Sequence, residues 1–241
     1  MKVLAIDTSN HPMSVALVQD KDLMATTTLN MVRNHSIYLM PTIDNLMKDV
    51  GWQPADLDRV VVAEGPGSYT GVRIAVTTAK TLALTLNLSL VGISSLATIA
   101  YNTLPTTTGL IVPFFDARRG NVFAGVYQWV DGRLVNKVAD AHLGIDELLT
   151  QLADQDQAVT MLGHRTKRID AKIKSVPANV TFAPRPFGLP STYRLALAGE
   201  EAAVVTNLDN FVPHYLRITE AEAQWQKKHP GETRANYVRE V

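Results

Sequence analysis

Three glycines, Gly65, Gly67 and Gly71, stand between an apolar run, Val60-Val61-Val62-Ala63, and a stretch with no helix breaker before Asn87. Four small or β-branched apolar residues bounded by Gly and Pro read as a buried strand, so the order is strand, Gly-rich turn, helix. Glycine lets such a turn adopt φ above zero and lie close against other backbone. A phosphate cradle is one chemistry this could serve. A Walker loop, however, ends in Gly-Lys-Ser/Thr, where this chain has Gly71-Val72-Arg73, and a dinucleotide fingerprint sets its third glycine three residues after the second rather than four. The spacing fits a structural strand-to-helix corner better than a nucleotide loop.

Asp7-Thr8-Ser9 ends the first apolar run, Val3-Leu4-Ala5-Ile6. Short polar side chains bond turn backbone in any protein. An acidic strand end could also hold a metal if other strand ends supplied carboxylates, and Glu64 and Asp116 are the candidates. His35 has Leu39 four residues on, not a second ligand, so it reads as a cap or packing residue. Arg118 and Arg119, in the turn after Asp116, are the sharpest local charge. They suit a solvated turn, or a bidentate grip on phosphate or on a partner's carboxylate.

Composition narrows the classes. A chain of 241 residues buries roughly 70% of its unfolded surface, enough for one large domain or two small ones. Lys plus Arg and Asp plus Glu both number 23, so global charge does not draw it to nucleic acid or membrane. No cysteine is present, which excludes disulfides, zinc thiolates and thiol nucleophiles. The N-terminus meets Asp7 too early for a signal peptide, and no run approaches the ~20 apolar residues of a membrane span. The expected location is cytoplasmic, with no membrane contact.

The elements that must position these residues follow in order. Strands are expected at 3–6, 14–18 and 23–29, a three-stranded meander. Ile37, Leu39, Met40, Ile43, Leu46, Met47 and Val50 recur at helical spacing, predicting a helix over 36–50 with an unusually wide apolar stripe. Its two methionines suit a contact surface that can repack. The helix over 69–86 carries Ile74, Ala75, Ala79 and Leu82 with Thr77, Thr78, Thr81 and Thr85 interleaved, and only Arg73 and Lys80 are charged. One side must pack on a sheet and the other is suited to a second helix. A strand at 90–93, a helix at 94–101 and a polar boundary at 102–109 follow. A second meander (110–115, 122–129, 133–141) then repeats the first, followed by a helix over 145–153, strands at 158–162 and 181–183, and a helix over 191–206. The expected division is 1–103, 104–218 and a terminal helix and tail, 219–241.

Four segments together resemble one family: Leu4-Ala5-Ile6-Asp7-Thr8-Ser9; His35-Ser36 leading to Leu39-Met40-Pro41; Gly65 through Ile74; and Asp116-Ala117-Arg118-Arg119-Gly120. They look like the TsaB (YeaZ) proteins, which assist in forming threonylcarbamoyladenosine at adenosine 37 of tRNA. The resemblance is good to about residue 130, with Pro213-His214-Tyr215-Leu216-Arg217 like the family's closing segment. It implies an α/β, actin-like, hexokinase-like fold of two ribonuclease H-like domains with mixed sheets. It also implies a catalytic paralogue, TsaD, whose metal-binding His-x-x-x-His would fall on Ser95 and Ile99, neither able to replace imidazole. The paralogue's Gly-Gly phosphate turn is replaced by Asp116-Ala117-Arg118-Arg119, and its adenosine loop has no counterpart near 188–191.

The resemblance therefore implies a scaffold with no catalytic residue, metal or cofactor. Helices 36–50 and 69–86 would pair with those of TsaD, or with a second copy as an isologous dimer. The ATPase TsaE would dock at the junction beside Arg118 and Arg119, and tRNA would be met only through the complex. Docking residues on this expectation are His35, Leu39, Met40, Ile43, Met47, Gly71, Ile74, Thr77, Thr78 and Thr81. Asp7, Thr8, Gly65 and Gly67 shape the loop. A stand-alone ATP-dependent kinase or a metallopeptidase-like enzyme is the alternative.

Overall fold

The computed structural model describes residues 1–30, 34–217, Trp225 and His229; the tail expected over 219–241 lies, apart from those two residues, outside the described part. The first half contains β1 (Lys2–Asp7), β2 (Pro12–Gln19), β3 (Asp22–Asn30), α1 (His35–Asp49), β4 (Arg59–Ala63), α2 (Tyr69–Leu86), β5 (Ser89–Ile93) and α3 (Ser95–Ala100). The second contains β6 (Leu110–Asp116), β7 (Asn121–Val130), β8 (Arg133–Gly144), α4 (Ile145–Ala153), β9 (Val159–Gly163), α5 (Lys167–Asp170), β10 (Val180–Phe182) and α6 (Thr192–Glu201).

The two sheets have one plan. The first runs β3-β2-β1-β4-β5 and the second β10-β9-β6-β7-β8, which is the same order read from the other edge. In each, a three-stranded antiparallel meander is followed by two parallel strands. This duplicated topology is the actin-like, hexokinase-like arrangement of two ribonuclease H-like domains.

Period-two alternation explains why the central strands are apolar throughout. In β1, Leu4 and Ile6 face α1 and α2, while Val3 and Ala5 face the opposite core; in β4, Val60 and Val62 divide from Val61 and Ala63 in the same way. The helix α2 has clear ends. The Ser68 hydroxyl accepts the Gly71 N–H at 3.4 Å, and Asn87 closes the helix in the left-handed region at φ 54°.

The halves exchange their last helices. Leu96, Ile99 and Ala100 of α3 pack under the second sheet with Ile111, Phe115, Phe123 and Leu162. Leu195 and Ala196 of α6, expected with the second half, pack instead under the first sheet against Val3, Ala5, Ala16 and Val61. Nor does α6 run to 206. It stops at Glu201 because the chain turns extended at Ala202 and the Val205 N–H bonds the Leu90 carbonyl at 2.8 Å.

Candidate partner-docking site

The Gly-rich corner is closed by backbone. The Thr8 hydroxyl donates to the Gly71 carbonyl at 2.7 Å, and the Ser68 N–H donates to the Ser9 carbonyl at 2.7 Å. A Cβ on Gly67 would land on the Ser9 carbonyl oxygen, and one on Gly71 on that of Thr8. Both glycines are thus needed for the close approach of the β1–β2 turn to the corner. At the corner's other end, Ser95 is fully buried; its hydroxyl accepts the Gly65 N–H at 3.0 Å and its N–H donates to the Gly65 carbonyl at 2.8 Å. Ile99 is core. The positions where the paralogue's ligand pair would fall thus hold a lock on the corner and an aliphatic side chain, neither suited to a metal.

Of the three carboxylates considered as metal ligands, Asp7 and Asp116 are each engaged by their own turn. Asp7 Oδ1 accepts the Ser9 N–H at 2.7 Å, and Asp116 Oδ1 accepts the Arg118 N–H at 2.7 Å, so the first turns of the two meanders carry the same motif. Asp116 Oδ2 takes the Thr166 hydroxyl at 2.8 Å. The Glu64 carboxyl is partly buried, which pushes its pKa up against the pull of His214. Among the described residues no three His, Asp or Glu side chains are placed to share a metal ion.

Asp7 Oδ2 is buried without a hydrogen-bond partner, and burial pushes the carboxyl pKa up to about 6, against bonds from Ser9 and the charge of His35. A raised carboxyl pKa means the folded state binds the proton more tightly than the unfolded chain. The ionised form therefore costs stability above about pH 6, and that cost disappears as pH falls toward 4. Asp7→Asn keeps the oxygen that Ser9 uses and removes the charge. Urea unfolding should show the variant more stable at pH 7.5 by about 1–3 kcal/mol, with the gain vanishing near pH 4; a variant less stable at pH 7.5 would refute the account.

Between α1 and α2 lies a groove of 330 Å³ lined by Ser36, Leu39, Met40, Thr70, Arg73, Ile74, Thr77 and Thr78. Met40, in its lining, is 47% exposed, and elsewhere on α1 Ile37 is 63% and Tyr38 42% exposed. Of the docking residues expected from sequence, Met40, Thr77 and Thr81 are exposed and Ile74 and Thr78 are half-buried. Leu39, Ile43, Met47 and Gly71 are buried in the protein's own core, and His35 is tucked in with Nε2 at 3.0 Å from the His11 carbonyl oxygen. A wide stripe at helical spacing merges the face on the sheet with the flank beside it, which is why these residues were grouped with the outer ones. Ile37, Tyr38 and Leu84 are accessible and were not among the expected docking residues: Ile37 was placed in the apolar stripe but not at the docking face, and Tyr38 and Leu84 were not singled out.

Arg118 and Arg119 are exposed on the β6–β7 hairpin with φ of 70° and 57°. Left-handed backbone costs a side-chain-bearing residue about 1–2 kcal/mol, so the hairpin presents its two guanidiniums in spite of strain. No described helix is long and apolar enough to cross a membrane.

A family model described as TsaD, tRNA N6-adenosine threonylcarbamoyltransferase, matches residues 23–226. The tRNA threonylcarbamoyladenosine biosynthesis protein TsaB of Bacillus subtilis is 40% identical over 232 residues, covering 93% of this chain and 98% of the relative. The chain belongs to the TsaB family. TsaB of Escherichia coli is 34% identical over 129 residues, 53% of this chain and 55% of its own length. Among solved structures, YeaZ from Pseudomonas aeruginosa superposes with a TM-score of 0.74 at 25% identity, covering 89% of this chain and 99% of that one. A second Pseudomonas aeruginosa structure, described as similar to peptidase YEAZ, gives a TM-score of 0.75 at 25% identity over 90% of this chain and 99% of that one. The fit to a transferase model, beside a TsaB relative spanning nearly the whole chain, agrees with TsaB and TsaD being paralogues.

Proposed function

We propose that this protein is a non-catalytic subunit in the formation of threonylcarbamoyladenosine at position 37 of tRNA, acting in the cytoplasm. Its α1–α2 face pairs with the equivalent helices of the catalytic paralogue TsaD, and the junction recruits the ATPase TsaE, with Arg118 and Arg119 as contacts. Alone, two copies use the same face on each other, as an isologous contact permits.

The observation that carries this reading is the apolar groove between α1 and α2, with Leu39, Met40 and Ile74 in its lining and Met40 half exposed. A contiguous apolar patch on two helices marks a contact surface, and helix-on-helix packing suits its shape. The corner closed by Thr8 and Ser9, and Ser95 and Ile99 in place of ligands, favour a partner role over the kinase or peptidase alternative.

Reconstitution tests it. Purified TsaD and TsaE, supplied with tRNA and the precursors of the threonylcarbamoyl group, should yield the modified nucleoside only when this protein is added. Equal yield without it would overturn the proposal.

A further inference from the structure

We infer that the segment 164–174, with the adjoining β6–β7 turn, binds the phosphate backbone of RNA directly. This goes beyond a contact made only through the complex, and it rests on the function proposed above for its choice of polyanion.

The segment reads His164-Arg165-Thr166-Lys167-Arg168-Ile169-Asp170-Ala171-Lys172-Ile173-Lys174. Fully buried Ile169 pins it to the second core, with Ile173 packed beside it. Thr166 fastens it to the hairpin. Its hydroxyl accepts the Ile169 N–H at 3.2 Å and donates to Asp116 Oδ2 at 2.8 Å. Lys172 lies over the turn, so that a Cβ on Gly120 would stand 3.0 Å from Lys172 Cγ. Two basic stretches far apart in sequence thereby form one surface.

That surface carries seven Lys and Arg residues against two carboxylates, Asp116 and Asp170, in a chain whose overall charge is balanced at 23 of each. The carboxylates are already engaged, Asp116 by Thr166 and the Arg118 N–H, and Asp170 by Arg165 at 2.7 Å. Lys174 lies 3.4 Å from Asp146. Among the described residues no ion pair engages Arg118, Lys167, Arg168 or Lys172, all of them exposed. Clustered like charges repel one another. A polyanion relieves that repulsion and gains affinity by releasing its counterions. An anionic bilayer is a poorer fit, because the apolar residues of the segment, Ile169 and Ile173, pack inward and leave nothing to insert between lipids.

The test uses the intact chain and a fluorescent anticodon stem-loop RNA, followed by anisotropy between about 50 and 200 mM salt. Binding should weaken steeply with salt. The triple variant K167E/R168E/K172E should bind at least about tenfold more weakly at low salt and show a log–log salt slope shallower by roughly 2–3. Arg118 and Arg119 are left unchanged so that the variant tests the 164–174 segment by itself. Absence of RNA binding at ~50 mM salt, a triple variant indistinguishable from the parent, or stronger binding to phosphatidylserine vesicles than to RNA would each overturn the inference. The outcome is separable from the proposed function: RNA binding by this chain needs no TsaD, whereas reconstitution can fail or succeed with the triple variant's RNA affinity already known.

Discussion

Replacing Met40 by aspartate should break the proposed pairing with the catalytic paralogue and leave the fold intact. Met40 is 47% exposed at the edge of the groove, so in the free protein the new carboxylate is solvated. The cost there is the helix-propensity difference, below about 1 kcal/mol. In the complex the same carboxylate would be dry and face apolar side chains without a partner. Burying an unpaired charge or truncating a central anchor typically costs 2–4 kcal/mol or more, some 30- to 1,000-fold in Kd. Ile43→Asp is the contrasting variant: Ile43 is 3% exposed in the core, and its replacement should unfold the protein. Calorimetric titration against the paralogue, with urea unfolding of each variant, separates the two. Wild-type affinity in a well-folded Met40→Asp protein would mean that the groove is not the docking surface.

Gly71→Ala is expected to destabilise the protein by about 2–4 kcal/mol, against the usual direction for this exchange. Within a helix, alanine is favoured over glycine by about 1 kcal/mol, and Gly71 is the third residue of α2. Here the added methyl would land on the Thr8 carbonyl oxygen, beside the 2.7 Å bond from the Thr8 hydroxyl to Gly71. The methyl is fixed in direction by its Cα and the oxygen is backbone, so neither can rotate away, and the β1–β2 turn would have to part from the corner. Overpacking of this kind costs 1–3 kcal/mol before the lost hydrogen bond is counted. For a protein of ordinary marginal stability that is a large share of the total. A denaturation midpoint equal to or above the parent's would show that the corner can spread.

The strand and helix plan was legible because its signals are local. The bounds of α2 follow from Ser68 and Asn87, and the second meander from its alternating apolar runs and the Asp131-Gly132 turn. The Gly-rich strand-to-helix corner was legible too, from the apolar run before the glycines and the unbroken helical stretch after them. Long-range arrangement was not. Nothing in residues 192–201 says that they cover β1, β2 and β4 rather than the sheet they follow, because either sheet offers the same small and branched apolar partners. No element was expected at the four-residue α5, because its single buried anchor, Ile169, is too short a periodic signal. Burial within the docking helices failed for a related reason. Leu39 and Met40 are neighbours in sequence at 1% and 47% exposure, a difference set by where the sheet lies and not by residue type.

The exchange of α3 and α6 sets the order in which the polypeptide can mature on the ribosome. The underside of the first sheet stays bare until residues 192–201 have left the exit tunnel, although the strands it covers are among the earliest made. If the first sheet forms before the final helix is made, Val3, Ala5, Val61 and Val91 would stand uncovered on the nascent chain, the kind of exposed apolar surface that makes folding intermediates aggregation-prone.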